Sequence, residues 1–347
     1  MTEIGQPAAG AVELGPLFDN RSRRLAAAAF VRGAALLPVI VVLLVVGSFI
    51  SPVFLTTSNL AQVGQEISAL GVVVVGEALI IMIGGMDLSL ESTFGLSAMV
   101  AAWLIIPVSN YGEGTQWSPY LGILALLAVG VVIGFINGIA IVKGRLNGFI
   151  WTLGMTVVLG GIQDGMVNGQ SLYNLPPAFN WLGSAYVGSV PVSLIFTAAI
   201  FTAVGLFLRY HTVGRQIYAI GGNQAAARAA GIRVDRVRIG VYVAGSVLAA
   251  IGGLIEAGRV QAVAADQGYG EGIIFNVFAA AVIGGVSLKG GRGGMVGAAS
   301  GVVLLGLVQN ILDLGGVNNY WILAITGGVI LVALMMARVI GGEVTAE

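Results

Sequence analysis

The chain has no cysteine and one histidine, His211, in 347 residues. Disulfides, cysteine metal sites and cysteine nucleophiles are therefore excluded, and nothing resembles a metal-ligand cluster. Charge is scarce as well. Asp, Glu, Lys and Arg make up 9% of the residues and balance to a net charge of zero, which argues against a nucleic-acid partner, because phosphate binding needs a net basic surface. A GxxxxGK[ST] phosphate-binding loop is also missing, so the chain carries no ATPase motif of its own and expects no cofactor.

What is present is apolar. Hydrophobic residues account for 57% of the chain and the mean hydropathy is +0.96, values far from those of soluble domains. The 54 glycines suit helix backbones that approach closely in lipid, and long uninterrupted apolar runs favour helices over barrel strands. The fold class expected is an all-α polytopic membrane protein of about ten transmembrane helices, with broken or re-entrant segments. The spans fall near 34–51, 65–84, 92–108, 120–142, 148–167, 191–208, 239–257, 272–287, 296–314 and 321–339. Residues 1–32 form a cytoplasmic N-terminal segment, 33–340 the transmembrane domain and 341–347 a cytoplasmic tail.

Basic residues set the orientation. Fifteen of the sixteen, Arg21, Arg23, Arg24, Arg32, Lys143, Arg145, six in 209–238, Lys289, Arg292 and Arg338, fall at inner ends when both termini are cytoplasmic. Arg259 is the exception. Residues 169–190 hold no base and belong outside, where Tyr173, Phe179, Trp181 and Tyr186 offer an aromatic scoop or an interfacial belt.

The six arginines of 209–238 cannot lie in the bilayer, since each costs about 2.5–3.5 kcal/mol at a helix centre. This polar loop is read as cytoplasmic. Within it, residues 223–231 read as a short helix, Asn223 capping its first amides and Gly231 ending it in the left-handed conformation. Such a helix is too short to persist unpacked, so Asn223, Gln224, Ala225, Ala226, Ala227, Arg228, Ala229, Ala230 and Gly231 are expected to meet a partner surface.

IGGMDLSL at 83–90 is echoed by IGGVSLKG at 283–290, a candidate internal duplication. The polar groups at breaks and mid-span, Asp87, Ser89, Asn137, Gln163, Asn276, Gln309 and Asn310, are candidates for a substrate pathway, each also readable as a helix-to-helix hydrogen bond. An ion-driven carrier would instead use buried acids, for which Glu66, Glu77, Asp164 and Glu256 are available, with Asp87 at the break.

In order along the chain, GGMDLSLES, NGFIWTLGM, GRQIYAIGGNQAAARAAGI and AAAVIGGVSLKGGRGGMVGA resemble the permease subunits of ribose-, xylose- and arabinose-type ATP-binding-cassette importers. The resemblance covers about 35–340 and implies a permease of the bacterial cytoplasmic membrane passing a monosaccharide. It implies as partners a second permease copy, an ATP-binding subunit carrying ATP and Mg, and an extracytoplasmic sugar-binding protein. In that family the 209–238 loop docks on the ATPase. Met86, Leu90 and Glu91 depart from the usual GIDLSVGS, and Asn276 stands where Asp is usual, so ribose itself is not implied. The alternative kept open is an ion-coupled secondary transporter.

Overall fold

The computed structural model describes residues 36–269, 272–318, 320–322, 324–328, 331 and 335. The expected N-terminal segment, most of the tenth span and the C-terminal tail lie outside the described residues. Twelve α-helices are described within 36–318. They are α1 (Leu37–Ile50), α2 (Thr57–Met82), α3 (Leu90–Ile105), α4 (Pro119–Val142), α5 (Gly148–Val167), α6 (Pro177–Ser184), α7 (Val192–Tyr210), α8 (Thr212–Gly222), α9 (Gln224–Ala229), α10 (Val234–Val260), α11 (Ile273–Ile283) and α12 (Met295–Leu314).

Local chemistry accounts for the starts. Thr56, Ser118 and Asn147 each accept a hydrogen bond from the backbone N–H three residues on, capping α2, α4 and α5. Pro119 follows its cap at the first helical position, where a missing N–H costs nothing.

Among the described residues six helices, α2, α4, α5, α7, α10 and α12, are long and apolar enough to cross a membrane. The shorter apolar helices α1, α3 and α11 fall in the expected first, third and eighth spans. The eighth is the clearest difference: α11 has 11 residues, a rise of about 16 Å against the ~30 Å of hydrocarbon. It is a half-helix.

Two helices form the centre. Every residue of α2 from Gly71 to Met82 is buried, as expected for a helix apolar on all sides. Against it runs α10, which also packs on α3, α4 and α6. A Cβ at Gly76 would come within 2.9 Å of the Gly245 carbonyl oxygen, so glycine lets these two backbones touch and gain dispersion contacts in place of a hydrophobic drive that lipid does not supply.

The helix ends sort into two sets. At one end, β1 (Leu172–Tyr173) pairs antiparallel with β4 (Ala262–Val263), and β2 (Tyr186–Val187) with β3 (Val190–Pro191). Gln65 Nε2 donates to the Gly183 carbonyl at 2.6 Å at this end. At the other, Lys143 pairs with Asp235 at 2.8 Å, and the Gly291 N–H donates to the Met82 carbonyl at 2.9 Å.

Both IGG segments end a helix with the same turn. Gly84 has φ +74° and its N–H donates to Ile81 O, while Gly85 N–H donates to Ile80 O. In the second, Gly285 has φ +87°, its N–H donates to Val282 O, and Val286 N–H donates to Ala281 O. The turns are offset by one residue relative to the matching letters. The echo is thus one of helix-ending chemistry and carries no duplication by itself.

Candidate functional site

The polar stretch is largely helical rather than a loop: α7 runs through Tyr210, and α8 was not read from the sequence. Its arginines exclude it from the bilayer but say nothing against helix, and Gly214, Ile217 and Ile220 give it a buried stripe. His211 has a defined role, its Nδ1 accepting from the Val213 N–H at 3.2 Å to cap α8, with its ring stacked on Phe207 at 4.8 Å. Tyr218 Oη donates to the Gly293 carbonyl at 3.0 Å, and burial raises this phenol above its ordinary value, so it stays a donor.

Asn223 ends α8 and starts α9, its Oδ1 accepting from the Ala226 N–H at 3.0 Å. Gly231 has φ +82°, and the Ile232 N–H closes the end on the Ala227 carbonyl at 3.0 Å. The cap and stop read from the sequence are both in place. Ala225, Ala226, Arg228, Ala229 and Ala230 face out and Gln224 is half-buried, whereas Ala227 is 4% exposed and packs in the main core. Ala227 therefore faces its own chain. Asp235 joins the loop to α4 by accepting from both Arg228 and Lys143; exposed pairs of this kind contribute about 0–1 kcal/mol each.

Behind this surface, at the break between α2 and α3, Asp87, Ser89 and Asn137 form one buried network. Asp87 Oδ1 accepts from the Ser89 N–H at 2.9 Å and Oγ at 2.6 Å. Its Oδ2 accepts from Asn137 Nδ2 at 3.2 Å, and Asn137 Oδ1 accepts from Trp151 Nε1 at 3.0 Å. The carboxyl is well supplied with donors and fixes the break in one geometry. Glu77, equally buried, receives the Asp87 N–H at 3.4 Å on Oε1, and Oε2 has no partner among the described residues.

Near the opposite end a cleft of about 170 Å³ is lined by Glu66, Phe94, Glu256, Arg259, Asn276 and Gln309, among others. Arg259 holds Glu256 through two hydrogen bonds, Nε to Oε2 at 3.0 Å and Nη2 to Oε1 at 2.6 Å. The one base that broke the charge rule is thus a paired base in a polar cleft, which offsets its desolvation. Its exceptional position was the sequence signal for this cleft.

The seven pathway candidates therefore separate. Asp87, Ser89 and Asn137 share the break, and Asn276 and Gln309 share the cleft. Gln163 instead donates to the carbonyls of Ala265 at 2.7 Å and Gln267 at 3.1 Å, and Asn310 exchanges hydrogen bonds with Asn59 at 2.9 and 3.1 Å. Asn310 thus ties α12 to α2, and Gln163 ties α5 to the segment after β4. Of the aromatics, Tyr173, Trp181 and Tyr186 are exposed, while Phe179 is 1% exposed and belongs to a second core cluster. Glu91, one of the departures, accepts from the Ile274 N–H at 3.1 Å, placing a carboxylate at the start of α11. Among the described residues no cluster of three or more His, Asp or Glu could hold a metal.

The family described as branched-chain amino acid transport system / permease component matches residues 59–334. The chain belongs to this permease family. It is similar to the ribose import permease protein RbsC of Escherichia coli K12, 34% identical over 86% of this chain and 91% of that one. RbsC of Bacillus subtilis is 33% identical over 86% and 90%. The galactose/methyl galactoside import permease protein MglC of Salmonella typhimurium is 32% identical over 86% and 91%. No solved structure matches the chain.

Proposed function

We propose that the chain is the membrane-spanning permease of an ATP-binding-cassette importer, passing a pentose, hexose or similar polyol into the cytoplasm on energy from a separate ATPase. The observation that carries the substrate class is similarity to ribose and galactose import permeases over 86% of the chain. The outer cleft suits such a cargo. Its carboxyls, amides and guanidinium can exchange hydrogen bonds with hydroxyls, and Phe94 supplies an apolar wall. A shallow polar passage is enough, because an extracytoplasmic binding protein supplies the affinity.

In this reading α8, α9 and the Asp235 ion pairs face the cytoplasm, and residues 169–190 face outward with Tyr173, Trp181 and Tyr186 toward the binding protein. The outward alanines of α9 permit close approach of the ATP-binding subunit, which holds the MgATP. A second permease copy would pack on α5, where Gly154, Gly161 and Gly165 share one helical face and a Cβ at each would meet nothing within 4 Å.

The half-buried Glu66 and the buried Glu77 favour a second reading, an ion-coupled carrier. Proteoliposomes holding permease, ATPase and binding protein separate the two. Import of ribose, galactose or another monosaccharide with ATP inside and an uncoupler present supports the importer; accumulation by the permease alone, abolished by the uncoupler, supports the carrier.

A further inference from the structure

Three segments far apart in sequence meet backbone to backbone at the inner end of the bundle. A Cβ at Gly221 of α8 would run into the Met82 carbonyl oxygen and the Gly291 amide nitrogen. The Gly291 N–H donates to that Met82 carbonyl at 2.9 Å. A Cβ at Gly290 would lie 2.9 Å from both the Gly221 oxygen and the Gly84 nitrogen, and one at Gly291 would lie 2.7 Å from the Gly222 nitrogen. Gly84, Gly290 and Gly291 have φ of +74°, +82° and +69°, a region other residues enter only under strain. Tyr218 adds a side-chain tie by its hydrogen bond to the Gly293 carbonyl.

The position of this contact is informative. Met82 and Gly84 end α2 at the first break, residues 284–293 follow α11 at the second, and Gly222 is the residue before the cap of α9. Side chains between packed elements absorb small displacements by changing rotamer; backbones in direct contact have no such slack.

We propose that Tyr218, Gly221, Gly290 and Gly291 act as positioning residues that make α8 and the two helix breaks move as one body, so that displacement of α9 reaches both breaks at once. This rests on the reading that a separate ATPase docks on α9. The Arg228–Asp235 pair between α9 and α10 is exposed and adds little to the sequence-adjacent route.

The absence of cysteine makes the test direct. Met86→Cys, half-buried at the first break, and Leu288→Cys, exposed at the second, are introduced separately into the assembled transporter in inside-out vesicles. An impermeant maleimide is applied with and without vanadate-trapped nucleotide. Both labelling rates change with nucleotide, and by a similar factor. Tyr218→Phe, which removes one hydrogen bond and no volume, breaks that parallel and lowers sugar imported per ATP by about fivefold, the equilibrium factor of a typical hydrogen bond. Thermal stability and ATP hydrolysis of the assembly are retained, which separates positioning from folding. A change at one reporter alone, a change at neither, or full import per ATP in Tyr218→Phe overturns the proposal. Failure of Ala226→Cys to cross-link to the ATPase would instead remove the docking reading beneath it.

Discussion

Neighbouring alanines of α9 should respond oppositely to the same substitution. Ala227 is 4% exposed in the main core, so Ala227→Glu adds four heavy atoms beyond the available space and buries a carboxylate without a partner. Overpacking costs about 1–3 kcal/mol and an unpaired buried polar group about 1–3 kcal/mol or more. The sum is about 4 kcal/mol, limited from above by the option of unfolding α9 locally. Ala226 is exposed and sits in the first turn of α9, three residues after the Asn223 cap, where a carboxylate is favoured by the amides of the helix start. Ala226→Glu should leave the isolated permease as stable as the parent or more so by about 0.3–1 kcal/mol, yet block the ATPase surface. Thermal denaturation of the purified permease, with co-purification of the ATPase, reads both effects. An Ala227→Glu permease as stable as Ala226→Glu, or an Ala226→Glu permease that retains the ATPase, would refute the placement of α9.

The isosteric Glu77→Gln keeps an oxygen for the Asp87 N–H and should retain ATP-driven import measured with an uncoupler; loss of ATP-driven import would return weight to ion coupling. Gly161→Leu on the open face of α5 should convert the detergent-solubilised permease from dimer to monomer by light scattering, and an unchanged mass would move the contact elsewhere. Single cysteines at Val187, 64% exposed, and at Thr212, the first residue of α8, should label with impermeant maleimide in whole cells and only after lysis, respectively. Reversed labelling would invert the orientation.

Features governed by a few neighbouring residues were legible in the sequence. Asn223 and Gly231 delimit α9, and Gly84 ends α2, because caps and left-handed turns depend on local chemistry. Length in the bilayer was not: the apolar letters of 272–287 look alike in a full span and in the half-helix α11. Facing was not legible either. Phe179 turns inward and Gln163 reaches carbonyls about a hundred residues away, which no local pattern encodes. Arg259 shows a middle case, where a violated charge rule marked a residue whose partner, Glu256, was three positions away in plain view. The glycine-rich inner contact was visible as composition but not as a junction, since only the fold brings Gly221, Gly84 and Gly291 together.

The most direct test of a separate energy source docked on α9 is a cross-link. With Ala226→Cys as the single cysteine, a short thiol-to-amine reagent should join the permease to the ATP-binding subunit in the assembled transporter, and the cross-linked complex should lose ATP-dependent monosaccharide import in proteoliposomes. A complex that imports sugar under ATP yet yields no cross-link at Ala225, Ala226, Ala229 or Ala230 would show that the energy enters through another surface.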